Sequence, residues 1–130
     1  MLQREHRLRA KSDFERVKRE GKRWRGDFFS LSVFAHHAGP TRFGFVVSKR
    51  VAAKASARNL IKRRLRAIIQ GLLARMLPGF DIVIVAQSAE VAADFHALAE
   101  RVSRVLDQAA VLRTVHKTQG PLAAGSESLS

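Results

Sequence analysis

A nuclease that works alone gathers carboxylates to hold divalent ions. Carboxylates are what this chain has least of: 11 Asp+Glu stand against 24 Lys+Arg in 130 residues. Asp13, Glu15, Glu20 and Asp27 lie near the basic half with no spacing that singles them out. Asp13 and Glu15 are accounted for by the positive end of a helix. His36-His37 invites an acid–base or metal reading. Adjacent strand residues point to opposite faces, however, which assigns the pair to a solvated turn. His6, His96 and His116 are isolated, and Ser48 has no base beside it in sequence. No Walker loop or Gly-rich dinucleotide motif is present. With no cysteine, thiol chemistry, disulfides and Cys-based zinc sites are excluded. The polypeptide is expected to carry no catalytic residue and no metal of its own.

Recognition of phosphate by charge remains. The net charge is +13, and it is segregated: residues 1–75 hold 20 Lys+Arg and 5 Asp+Glu, residues 76–130 hold 4 and 6. Neutralising phosphates and releasing their counterions is the physical use of such a surface. This favours a nucleic acid over a merely solvated face or an anionic membrane. No apolar run approaches the roughly 18 residues of a membrane span, and Met1–Lys11 is too charged for the apolar core of a secretory signal. A cytoplasmic location without a membrane partner is the expectation.

The elements that must position these cations can be read in order. Met1–Lys11 is a basic arm. Ser12 reads as the N-cap of a helix over 12–20, with Glu15 at capping-box spacing and Gly21 at its end. Lys22–Arg25 is a short extended stretch and Asp27–Ala35 a strand. Phe29, Leu31 and Val33 share one of its faces; Phe28, Ser30, Ser32 and Phe34 share the other. After the turn at His36–Pro40, Arg42–Lys49 is a second strand, expected to pair with the first as an antiparallel hairpin. Residues 55–76 form the longest helix. Its apolar stripe is Ile61, Leu65, Ile68, Leu72 and Met76, with Asn59, Lys62, Arg63 and Arg66 mostly opposite and Arg58 nearer the edge. Pro78-Gly79 ends it. Phe80–Ala86 is an almost unbroken apolar run, suited to a central strand buried on both faces. Ser88 can cap a last helix over about 90–112, with Val91, Phe95, Leu98, Val102, Val105 and Ala109 as its core stripe. Lys117–Ser130 is a Gly-, Ser- and Ala-containing tail. The order predicts an α+β fold with a mixed sheet packed by helices.

One segment is distinctive. Ser48-Lys49-Arg50, seven residues, then Arg58-Asn59-Leu60-Ile61-Lys62-Arg63-Arg64-Leu65-Arg66 resembles the signature of the protein subunit of bacterial ribonuclease P. His6-Arg7-Leu8-Arg9 with Ser12-Asp13-Phe14, Phe43-Gly44-Phe45-Val46-Val47-Ser48 and Asp81–Ala86 resemble further parts of that family, over about residues 5–112. The resemblance implies an α-β-β-β-α-β-α sandwich, similar to the second domain of ribosomal protein S5, with a left-handed crossover. It implies a single domain over 1–116, of which 1–11 is the arm, and a flexible tail over 117–130. It further implies a subunit that joins a large catalytic RNA, which carries the active site and its Mg²⁺, and cleaves the 5′ leader from precursor tRNA.

The resemblance also divides the site. Lys49, Arg50, Arg58, Asn59, Lys62, Arg63 and Arg66 would contact the catalytic RNA. Phe14, Phe29, Leu31 and Ser48 would line a leader cleft between the basic helix and the sheet. Phe14 fits a core position as well as a leader contact, and Trp24 is a further platform candidate. Three positions depart from the family pattern: Leu60 where a second motif arginine is usual, and Lys18 and Leu31 where many or some relatives carry an aromatic. A structural RNA-binding protein on the same fold, such as a ribosomal one, is the alternative. A DNA-binding module is disfavoured, because no helix-turn-helix precedes the long helix.

Overall fold

A computed structural model describes residues 2–26, 28–36, 39–88 and 94–112. The apolar run Phe80–Ala86 decides the topology, because a strand this apolar is stable only with a partner on each side and a packed layer on each face. The elements follow as α1 (Lys11–Glu20), β1 (Lys22–Arg25), β2 (Phe29–Ala35), β3 (Arg42–Val47), α2 (Ala55–Leu72), β4 (Phe80–Ala86) and α3 (Phe95–Gln108), with 3₁₀ turns at Arg4–His6 and Leu73–Arg75. The α-β-β-β-α-β-α order is the expected one. The sheet order is β1-β2-β4-β3. β4 pairs antiparallel with β2, from Phe29↔Ala86 to Ala35↔Phe80, and parallel with β3, from Arg42↔Asp81 to Val47↔Ala86. The hairpin expected between β2 and β3 does not form. β4 lies between them, and α2 is the crossover that parallel neighbours require.

The two sheet faces are covered unequally. Phe29, Leu31, Phe43, Ile82 and Ile84 are buried with Ile61 and Leu65 of α2 and Leu98 and Val102 of α3. Among the described residues the opposite face carries α1 and Leu8 of the arm: Val17 and Val83 are buried with Leu8, flanked by Phe14, Phe34, Val46 and Val85. The N-terminal arm is pinned rather than trailing: Leu2 and Leu8 are buried, and Leu8 N–H donates to the Phe43 carbonyl at 2.8 Å. Gly21 ends α1 because its α-carbon lies against the Val17 and Val33 carbonyls, where a β-carbon would sit 2.5 and 2.7 Å from those oxygens.

Several boundaries differ from those read in the sequence. α1 starts at Lys11 with Ala10 at the N-cap, so Ser12 is not the cap. α2 ends at Leu72, and Met76 is buried beyond the 3₁₀ turn. α3 is capped by Asp94, whose Oδ1 accepts from Ala97 N–H at 3.1 Å, rather than by Ser88. Starting there turns Phe95 outward, 38% exposed, while Leu98, Val102 and Val105 are buried as expected. Val91 and the 117–130 tail lie outside the described residues. No helix among the described residues is long and apolar enough to cross a membrane.

Candidate RNA-binding site

Edge strand β3 organises the candidate site. The arm lies along its open side, bridging Arg7 to Phe43. The alternation Arg7-Leu8-Arg9 buries Leu8 and leaves both arginines exposed. On the other flank α2 buries Ile61 and Leu65, and that rotation directs Lys62 and Arg66 to the same edge. Phe14 of α1 lies on the backbone of Gly44, so close that a β-carbon there would overlap the ring. Together Arg7, Arg9, Phe14, Phe45, Lys62 and Arg66 line a groove of about 360 Å³ floored by Phe43 and Gly44. Four cations around aromatic rings is the composition that grips a single strand, by charge on the backbone and by platforms for the bases.

The sequence-predicted residues distribute unevenly around this groove. Phe14, Lys62 and Arg66 meet in it, so one leader candidate stands beside two catalytic-RNA candidates. Asn59 and Arg63 are exposed on the outer face of α2. Ser48, Lys49 and Arg50 are exposed in the turn that follows β3. Arg58 is half-buried, and its Nη1 donates to the Ala52 and Ala53 carbonyls at 3.0 and 2.8 Å, tying α2 to the loop before it. Arg58 therefore has a structural task whatever else it touches.

Phe29 and Leu31 require correction. Both are 0% exposed, on the face covered by α2 and α3, and neither can line a cleft. Burying such side chains is worth about 1.5–3 kcal/mol each. Leu31 is thus a core residue. The alternate residues Ser30 and Ser32, in register with Val85 and Val83, occupy the α1 face instead. Arg7, Arg9 and Phe45 were missed as site residues. The Arg-Leu-Arg alternation was the available signal for the first two.

Beneath α1 sits a cluster of charges. Asp81 is fully buried and accepts from Arg42 Nε and Nη2 at 2.9 and 2.7 Å. The hydrogen bond to Asp81 raises the Arg42 pKa further above its ordinary value. Asp13 lies 2.8 Å from Arg16 Nη2 and 3.6 Å from Arg42 Nη1. His36 Nε2 lies 3.2 Å from Asp81, so His36 is part of this cluster and not of a solvated turn. His37 lies outside the described residues. The His6 ring, isolated in sequence, is 2.8 Å from the Thr41 carbonyl through Nδ1. Among the described residues no three of His, Asp and Glu come together to hold a metal.

Leu60 is exposed on α2 between Asn59 and the cations of the next turn. At 37% exposure it has an open side along which a longer side chain can extend. Leu60→Arg is expected to tighten RNA binding several-fold at low salt and to steepen the slope of log K against log salt by about 0.7 for a single strand. Binding isotherms at several salt concentrations check this, and an unchanged slope would show that no phosphate passes over this turn.

Comparison with known proteins matches this chain to one family. A family model described as Ribonuclease P matches residues 2–110. The ribonuclease P protein component of a Picosynechococcus species is 37% identical over 110 residues, covering 85% of this chain and 95% of the relative. That of a Cyanothece species is 33% identical over 128 residues, covering 86% and 98%. The solved structure of the RNase P protein from Thermotoga maritima superposes with a TM-score of 0.70 at 28% identity, over 78% of this chain and 96% of its own. The Staphylococcus aureus protein superposes at 0.73 with 23% identity, a likeness of fold.

Proposed function

We propose a division of labour on this surface from one premise: the chain belongs to the ribonuclease P protein family. It is the protein subunit of ribonuclease P, the ribonucleoprotein endoribonuclease of tRNA 5′ processing. Our reading of its contribution is that the Phe14 groove takes the single-stranded 5′ leader of precursor tRNA. A base stacks on the Phe14 ring while Arg7, Arg9, Lys62 and Arg66 neutralise the neighbouring phosphates. The outer face of α2, Asn59 and Arg63, together with Lys49 and Arg50 in the preceding turn, meets the catalytic RNA. Arg58 holds that turn in place through the Ala52 and Ala53 carbonyls.

The observation that carries this reading is the groove itself, in which one ring and four cations from three separate chain segments converge on edge strand β3. Such a surface binds a strand without cutting it. Hydrolysis needs an activated water and a stabilised leaving oxygen, and we assign both, with the Mg²⁺ that serves them, to the RNA subunit, whose phosphates are the natural ligands for such ions. The protein supplies affinity and orientation, which lower the barrier by fixing the substrate before reaction. We place the assembly in the cytoplasm, and read residues 1–116 as one domain.

Reconstitution tests this. The protein alone should leave precursor tRNA intact. Added to a bacterial ribonuclease P RNA at low Mg²⁺, it should stimulate removal of the leader. Failure to stimulate any such RNA would sink the assignment.

A further inference from the structure

The far edge of the sheet carries a second surface that the reading above leaves unused. β1 is the edge strand opposite β3, three strand spacings or roughly 14 Å away. Its sequence is Lys22-Arg23-Trp24-Arg25. Trp24 is half-buried, pairs in register with Leu31, and lines an open groove of about 520 Å³ with Val33, Phe80, Lys22 and Gln108. Gln108 also borders a smaller hollow of about 140 Å³ lined by Arg25, Arg101 and Arg104. The two hollows thus flank one side chain at the end of α3 and form a continuous strip.

The cations of this strip are assembled by the fold. Arg101 and Arg104 belong to the half of the chain with a net negative charge. On α3, however, Arg101, Arg104 and Gln108 fall within roughly 60° of arc facing β1, whereas Glu100, Ser103 and Asp107 fall in the adjoining sector. Arg101 is held with its guanidinium 4.7 Å from the centre of the Phe28 ring. That contact places the Arg101 guanidinium beside the hollow that Arg25 and Arg104 also line. Arg104 stands 3.8 Å from Glu100 in an exposed pair, which is weak and readily exchanged for a phosphate.

We propose that this strip is a second RNA contact, which takes a single-stranded segment of the ribonuclease P RNA subunit. A backbone phosphate would occupy the Arg25–Arg101–Arg104 hollow and a neighbouring base would lie on the Trp24 groove. Lys22, Arg25, Arg101 and Arg104 outnumber Glu20, which also lines the Trp24 groove, so the net charge of the strip is complementary to RNA, and its apolar floor suits bases. A large folded RNA can engage two separate edges of one small protein, whereas the leader is assigned to the β3 edge. The proposal rests on the reading of this chain as a ribonuclease P subunit.

Trp24 is the one tryptophan in the chain, so its fluorescence reports on this strip alone. Titration with a bacterial ribonuclease P RNA transcript should quench it saturably. The Arg101→Glu, Arg104→Glu double variant should need roughly tenfold more RNA for the same quenching. If the double variant does not fold, Arg104→Glu alone, at an exposed side chain, should weaken it several-fold. Absence of quenching at saturation would overturn the contact. Equal quenching by heparin, which has charge but no bases, would overturn the base platform. Equal quenching by precursor tRNA alone would overturn the assignment to the RNA subunit. Stimulation of leader removal is a separate measurement, so loss of this contact and loss of the functional assignment are told apart.

Discussion

Asp81→Ala should destabilise the protein by about 3 kcal/mol, the lower end of the range for breaking a buried ion pair. Asp81 is wholly enclosed in central strand β4, and its two oxygens take both the Nε and the Nη2 of Arg42 on β3. Removing the carboxylate leaves the Arg42 guanidinium beside Arg16, with Asp13 as the remaining carboxylate near both. The value falls at the low end because the Arg42 side chain is still 32% exposed and can recover some water. For a domain whose whole stability is about 5–15 kcal/mol this is a large fraction, and it corresponds to a fall in Tm of roughly 10–20 °C. Because the Arg42 pKa is raised, the arginine's contribution is fully present at neutral pH and is lost only as pH rises through that raised value, in strongly alkaline solution. Urea unfolding monitored by circular dichroism gives the number. A loss below about 1 kcal/mol would mean that Arg42 is equally well served by Asp13. Replacing both partners, Arg42→Met with Asp81→Leu, should recover much of the loss, since an apolar pair of similar volume escapes desolvation.

The consequence reaches the groove. The Asp81–Arg42 pair sits at the first rung of the parallel β3–β4 ladder, two residues before Gly44. It fixes the register that puts a side-chain-free position under Phe14. A slip of one residue would bring Phe43 or Phe45 to that point and expel the ring. The buried carboxylate of a very basic protein would thus act on the proposed leader groove at one remove, by setting where the Phe14 ring lies.

What could be read in the sequence, and what could not, follows the range of the interactions concerned. The stripe Ile61, Leu65, Ile68 and the cations opposite it lie within five turns of one helix, so their period was sufficient. Phe80–Ala86 was legible as a buried central strand because its apolar run asked for cover on both faces. Its neighbours were not legible. Pairing β2 with β3 is the shorter loop closure, but β4 gains a full ladder on each side by entering between them, and that gain is invisible in local pattern. The same gap misplaced Phe29 and Leu31. Alternation correctly separated them from Ser30 and Ser32. Which face would receive two helices and which would receive α1 depends on contacts 30 to 70 residues away. The groove combined residues assigned to two sites, because Phe14 and Lys62 are distant in sequence and meet only across β3. Arg101 and Arg104 were hidden for a related reason, since summing charge over the C-terminal half averaged them with acidic neighbours on another sector of α3.

The strongest effect on RNA binding is expected from Lys62→Glu with Arg66→Glu. The two positions are one turn apart on α2, flanking the groove, while Ile61 and Leu65 hold the helix on the core and are untouched. The fold should therefore survive, which circular dichroism verifies. Loss of two phosphate contacts should flatten the slope of log K against log salt by about 1.4 for a single-stranded leader. Two new negative charges beside the remaining Arg7 and Arg9 add repulsion, so affinity at low salt should fall by roughly 100-fold or more. The neutral pair Lys62→Gln, Arg66→Gln should give the same change in slope with a smaller loss of affinity, which separates lost counterion release from added repulsion. Mature tRNA, which has no leader, should be affected much less than precursor tRNA, because these two side chains border the Phe14 groove rather than the outer face of α2. Equal losses for both substrates would move Lys62 and Arg66 to the catalytic RNA and leave Phe14 without its electrostatic walls. Phe14→Ala then decides between the two. If the leader lies in the groove, truncating the ring should cost less in the charge-reversed background than in the wild type, since a strand that is no longer held by its phosphates cannot place a base on the ring.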